Sequence, residues 1–311
     1  MTATSPTPPG LSLDDLRGDP GRIRRERIVH GILTVAASMA VVISVAIIYV
    51  LLRDALKFLS EVPIGDLTDD IWQPRAGRWG VMSPILGTLW VTLVAVLVAG
   101  PIGLGAAVYL SEYAKPRVRR IVKPIIEVLA SIPSVVVGYF AFRFLAPEVV
   151  QKIFTDAPAK NLLVAGLGVG LLTIPLMTSV SEDALRAVPN SLREASYGLG
   201  AKKVTTVVRV VVPAAISGLV AGLILSISRA IGETMVVFLA AGGTGARPDS
   251  PLDGGQTITA AMASVASGTD QVKGVGPTIP SIFFLGLILF LLTLFLNMVA
   301  DRFVRRVRQK Y

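Results

Sequence analysis

Arg229 and Glu233 stand four residues apart in SRAIGETM, inside an otherwise apolar run from Ala214 to Ala241. Four residues is just over one helical turn, so an unbroken helix puts both on one face. A lone charge at mid-bilayer costs roughly 2.5–3.5 kcal/mol on insertion scales, so each needs a reason to be there. A guanidinium stays charged at physiological pH and presents two parallel donors to an oxyanion. Glu233 suits a counter-charge that holds Arg229 in place and weakens its grip on an anion by repulsion. The competing reading is an ion pair that only lets two charges insert, or that locks a neighbouring chain. Arg before Glu is the less stabilising order for a helical pair. Arg143, Ser131, Ser134 and Thr173 are weaker candidates for the same path. Arg143 also suits snorkelling, and the three hydroxyls, beside the prolines of SIPS and TIPL, also suit bonding to helix carbonyls.

Other chemistries find little support. The chain has no cysteine, which excludes disulfides, iron–sulfur clusters and thiolate zinc sites. His30, the one histidine, sits among arginines and is assigned neither a metal nor a catalytic role. No GxxxxGK[ST] occurs, so ATP is not expected to bind through a P-loop of this chain. We expect neither a catalytic residue, a metal nor a cofactor.

The elements that must position these residues follow from hydropathy. Of 311 residues 52% are hydrophobic and 16% charged, far from the globular norm. Six long, nearly uncharged runs, at about 32–52, 85–110, 121–145, 161–181, 214–241 and 282–300, each reach helical membrane-spanning length. Their length argues against an outer-membrane barrel. The expected fold is all-α: a polytopic bundle of six transmembrane helices in the plasma (inner) membrane.

A net charge of +9 raises nucleic acid as a partner, but the distribution argues for topology instead. Five Arg or Lys fall in each of 1–31, 115–123, 182–213 and 301–311, against eight in total in the alternate loops. The positive-inside rule then puts both termini in the cytoplasm. Fifteen residues into the fifth helix, about 22 Å from its cytoplasmic end, Arg229 falls past the midplane. Residues 1–31 read as a disordered basic tail without signal-peptide character. Residues 32–84 hold helix 1 and an outer loop, 85–300 the core, and 301–311 a second basic tail. Gly166/Gly170 and Gly218/Gly222 have the small-xxx-small spacing of closely packed helices. Lys123 and Glu127 are expected to pair at the start of helix 3, without a transport role. The 242–280 segment is expected outside, with a short helix in TITAAMASVASG and a docking surface.

The polar loop 182–213 is too charged to span and holds two short helical stretches around NSLREASYGL and KKVTTVVRVVV, with Asn190 or Ser191 able to cap the first. Within it, Glu194, Ala195, Ser196 and Gly200 are followed by Val210, Val212 and Pro213 in the register of the EAA loop of ABC importer permeases. Ser196 replaces alanine, and Val210 and Val212 replace isoleucine and leucine. From helix 2 onward, LSEYA, KPIIEVLASIPSVVVGYF and SRAIGETM resemble the phosphate-specific permeases, and lean towards the PstC-type subunit. Residues 1–31 and 53–83 carry no such resemblance. It implies a type I importer permease fold and inorganic phosphate as substrate. It also implies a second, PstA-type permease, a dimer of cytoplasmic ATPase subunits that binds the ATP, and an extracytoplasmic phosphate-binding protein. Glu194, Ala195, Ser196, Gly200, Val210 and Pro213 become the ATPase-coupling residues. Permeases for sulfate or molybdate share the loop, and a mainly structural subunit is a third reading.

Overall fold

The computed structural model describes residues 20–268 and 276–307; residues 1–19 and 308–311 of the two basic tails, and 269–275 of the outer segment, lie outside them. The chain divides into two compact units, Met1–Leu51 and Leu52–Tyr311. In the first, the described residues are helix α1 (Pro20–Glu61) as far as Leu51. Its start at Pro20 makes helix of residues 20–31, expected as disordered tail. Its apolar side chains, Ile32, Leu33, Val35 and Met39 among them, are exposed, as a lipid-facing span requires.

The second unit carries the rest. The last turns of α1 bury Ala55 and Phe58. A two-residue antiparallel hairpin follows, β1 (Trp72–Gln73) with β2 (Arg78–Trp79). Gly77, at φ +68°, makes its turn, a conformation costly for a residue with a Cβ. Trp79 meets Phe58 edge-on, and Phe58 stacks on Phe284 at 4.7 Å between centroids.

Helix α2 (Met82–Val108) runs into a single wide turn at Tyr109–Tyr113. Pro101 lies inside α2 without ending it. Helices α3 (Pro116–Leu129) and α4 (Ser134–Phe140) come next. The α4 segment continues through wide turns at Ala141–Val150 into the one-turn α5 (Gln151–Ile153). Where one span was expected at 121–145, the chain bends by 87° between α3 and the α4–α5 segment. Pro133 explains the corner: it has no N–H to continue the helix and pushes the preceding residue out of the helical region.

Helix α6 (Leu162–Arg186), capped by the Asn161 side chain on the Val164 N–H, is the central stave. It is followed by α7 (Asn190–Gly198), α8 (Lys203–Thr206) and α9 (Val212–Ile231). Short α10 (Met235–Ala240) and α11 (Ile258–Ala266) precede the final α12 (Thr278–Val307). The short helix expected in TITAAMASVASG is α11. Among the described residues, five helices are long and apolar enough to cross a membrane, and the bent pair makes a sixth if it is one broken span.

Glycine sets the closest approaches. A Cβ on Gly166 would sit 2.6 Å from Val94 Cβ of α2, and one on Gly218 would sit 2.4 Å from Ala184 Cβ of α6. The small-residue spacing of the sequence thus lies where α2, α6 and α9 pack, as expected when backbones must approach closely.

Candidate functional site

Helix α9 stops at Ile231 and the chain turns through Gly232, Glu233 and Thr234 before α10 starts. This break overturns the single helical face expected for Arg229 and Glu233. Neither forms an ion pair with the other. Glu233 is only 8% exposed. Its carboxylate accepts the Val236 N–H at 3.4 Å, and its backbone carbonyl accepts from the Thr259 hydroxyl of α11 at 2.7 Å. Both contacts hold the break in place. Gly232 itself keeps a right-handed conformation, φ −84° and ψ 0°, open to any residue, so the i,i+4 geometry is lost through these contacts and not through glycine's freedom.

Arg229 remains exposed and, among the described residues, forms no hydrogen bond or ion pair. It lines a cavity of about 450 Å³ with Glu127, Pro175 and Ser179. The other sequence candidates fall elsewhere. Arg143 is exposed in the wide-turn segment. Ser131 donates to the Val128 carbonyl at 2.7 Å, and buried Thr173 to the Val169 carbonyl at 2.7 Å. Ser134 opens α4 at the corner. For Ser131 and Thr173 this is the carbonyl-satisfying arrangement that competed with an anion role, and none of these four lines the Arg229 cavity.

The 190–213 segment forms a compact knob. Helix α7 ends in a Schellman turn: the Ala201 N–H reaches the Ser196 carbonyl at 3.2 Å and the Gly200 N–H reaches the Tyr197 carbonyl at 2.9 Å. Gly200 takes φ +80°, the reason a glycine is wanted six residues after Glu194. Glu194 and Ala195 are exposed, and Leu199 is 90% exposed. Ser196 bonds the Thr206 hydroxyl at 2.8 Å, tying α7 to α8; alanine at this position could not make that bond. Val210 is half-buried beside buried Val211, and Pro213 sits in the first turn of α9, where its missing N–H is not needed. Neither Asn190 nor Ser191 caps α7, which follows Pro189 directly. Asn190 instead accepts from Arg193.

Arg193 is the residue the sequence did not single out. Its guanidinium donates to Glu112 at 2.8 Å, and to the Val188 and Leu185 carbonyls at 2.6 and 2.9 Å. The Arg193 side chain is 14% exposed and that of Glu112 5%. A carboxylate in LSEYA at the end of an apolar run was the only available hint. Lys123 also differs from expectation. It bonds Glu182 at 2.6 Å and Asp183 at 3.0 Å, not Glu127. Arg119 joins it on Glu182, whose side chain is 1% exposed. One ion-pair cluster therefore clamps helix α3 to the end of α6, and Arg193 clamps α7 to the turn after α2 and to the end of α6.

Residues 99–309 match the family described as binding-protein-dependent transport system inner membrane component. The chain belongs to that family. This permease is thus a multi-pass inner-membrane component of such a system. It is 34% identical over 252 residues to the probable ABC transporter permease protein YqgH of Bacillus subtilis, covering 79% of this chain and 78% of that protein. It is 31% identical over 301 residues to the phosphate transport system permease protein PstC of Mesorhizobium japonicum, covering 91% and 90%. Among solved structures, the permease matches a bacterial alginate ABC transporter chain with a TM-score of 0.66, covering 93% of this chain and 98% of that one at 14% identity. It matches a MetNI methionine ABC transporter chain with a TM-score of 0.57, at 73% and 95% coverage and 21% identity. These likenesses give it the fold of ABC importer permeases.

Proposed function

We propose that this permease is the PstC-type membrane subunit of an ATP-driven importer of inorganic phosphate. The supporting observation is its likeness, over nine-tenths of its length, to a protein named as a phosphate transport permease. Arg229 supplies the chemistry: a guanidinium on a cavity, unpaired among the described residues and ready to take two oxygens of a phosphate. Glu233, turned away and bonded to backbone, holds the break that presents Arg229. A PstA-type permease completes the pathway from the other side, and an outer phosphate-binding protein docks near α11. Both termini are cytoplasmic.

The knob of residues 190–203, with Glu194, Ala195 and Leu199 exposed, inserts into a groove of one cytoplasmic ATPase subunit, as a short helix does in a helix-in-groove contact. ATP is bound there, by the partner. Closure of the ATPase pair moves the bundle between inward- and outward-facing packings as rigid bodies. The test is uptake of radiolabelled phosphate by the reconstituted complex, with ATP hydrolysis recorded in parallel and sulfate and molybdate as competitors. Arg229→Gln is expected to leave assembly and ATPase intact and abolish uptake. Unchanged uptake, or collapse of the complex, sinks the pathway role; no saturable uptake of labelled phosphate by the parent complex, or stronger competition by sulfate or molybdate than by unlabelled phosphate, sinks the substrate.

A further inference from the structure

A second, larger cavity, about 800 Å³, lies between the wide turn after α2, helix α3 and the start of α7. Five cationic side chains line it, Arg119, Arg120, Lys123, Arg186 and Arg193, against two carboxylates, Glu112 and Glu127. Their engagements differ. Arg193 is saturated by Glu112 and two backbone carbonyls. Arg119 and Lys123 are held by Glu182. Arg186 reaches Glu182 only at 4.0 Å, and Arg120, exposed on the wall, has no partner among the described residues. Asn190 uses its side-chain oxygen on Arg193, which leaves its amide N–H donors to the cavity. The wall thus carries an excess of uncommitted donors and positive charge. Glu127, the residue that also lines the Arg229 cavity, is shared by both.

We propose that this cavity is a second oxyanion site, which takes a phosphate-bearing group through Arg120, Arg186 and Asn190; a free phosphate reaches it from Arg229 past Glu127. This rests on the reading of the permease as a phosphate importer. A free phosphate and a lipid phosphate headgroup present the same oxygens, and 800 Å³ admits either. Glu127 has no ion partner among the described residues. It stands where an anion crosses from one cavity to the other, and its carboxylate keeps the anion from resting there.

The chain lacks cysteine, so Ser111→Cys, on the cavity wall, gives a single reporter thiol in this subunit. In the full complex in lipid nanodiscs, an anionic methanethiosulfonate reagent is expected to label it about tenfold faster than its cationic analogue, the low end of electrostatic focusing in a charged cleft. Inorganic phosphate should slow that labelling where chloride at equal ionic strength does not. Arg120→Gln with Arg186→Gln should remove both effects. Protection by phosphate in purely zwitterionic discs identifies the free anion as occupant, and protection that requires phosphatidylglycerol identifies the headgroup. Absence of charge preference, or equal slowing by phosphate and chloride, overturns the site and leaves the cations as packing charges. Wild-type phosphate uptake, measured beside it, keeps the two readings apart. Uptake without protection refutes only this site, whereas protection by sulfate but not phosphate, without phosphate uptake, refutes only the substrate.

Discussion

Arg193 and Arg229 each lie within about one helical turn of a glutamate in sequence, yet they end in opposite conditions. Arg193 is nearly enclosed, with a carboxylate and two carbonyls as partners. Arg229 is exposed on a cavity wall and has no partner among the described residues. The nearby glutamate decides neither: Glu194 is exposed to solvent beside Arg193, and Glu233 is turned into the break after Arg229. Commitment of the guanidinium marks the division of labour. A saturated arginine clamps elements together, and an unsaturated one is available to a mobile anion.

The contrast can be broken most forcefully at the clamp. Arg193→Ala leaves the Glu112 carboxylate buried without its partner, a loss of about 3–5 kcal/mol for an enclosed pair. It should show as a large drop in melting temperature of the detergent-solubilised complex and loss of ATPase co-purification. Arg229→Ala should melt within about 0.5 kcal/mol of the parent, as an exposed substitution does, while uptake disappears. Equal destabilisation by the two would erase the distinction between clamp and free donor.

A second test targets packing between the regions. Gly218→Leu forces a side chain into Ala184, whose Cβ lies 2.4 Å from where the new Cβ would be. Overpacking of this kind costs about 1–3 kcal/mol, expected as a lower melting temperature and weaker assembly. A full-strength, normally assembled variant would show that α6 and α9 do not meet there. Gly200→Ala should follow with about 1 kcal/mol, because φ +80° is costly for any residue with a Cβ. Its effect belongs to the knob alone. Faster dissociation of the ATPase at unchanged Arg229-dependent binding is the expected split, and unchanged dissociation counts against the coupling turn.

The smallest effect is outside the membrane. The Arg78 guanidinium, bonded to Asp69 at 2.6 Å, holds that carboxyl below the usual aspartate range. A depressed folded-state pKa contributes stability above the unfolded value, and the contribution is lost as pH falls through the folded one. Acidification should therefore loosen the β1–β2 hairpin slightly in the parent and not in Asp69→Asn, read by tryptophan fluorescence of Trp72 and Trp79. Identical titrations of the two would show that the pair does not hold the hairpin.

Local features are legible in the chain itself. Hydropathy marks the spans because each segment must satisfy its own backbone in lipid. The spacing around Glu194 and Gly200 marks the knob because a Schellman turn is made within a few residues. Position 232 is readable as a glycine and not as a break, since a helix tolerates one glycine and only the packing of Glu233 against α10 and α11 makes leaving it worthwhile. The bend at Pro133 is equally present in SIPS, yet hydropathy runs straight through a corner. Ion partners are the least legible. Glu112 and Arg193 are 81 residues apart, and Lys123 and Glu182 are 59 apart.

By itself, then, the sequence determined a bundle of apolar helices, its basic loops and the glycine-ended turn of α7, because these depend on solvent transfer and on hydrogen bonds closed within a turn or two. Which arginine is clamped, which is left free, and that Glu127 stands between two cavities were decided only by the tertiary structure. Charges choose partners by distance and burial, and both arise only when segments remote in sequence are folded against one another.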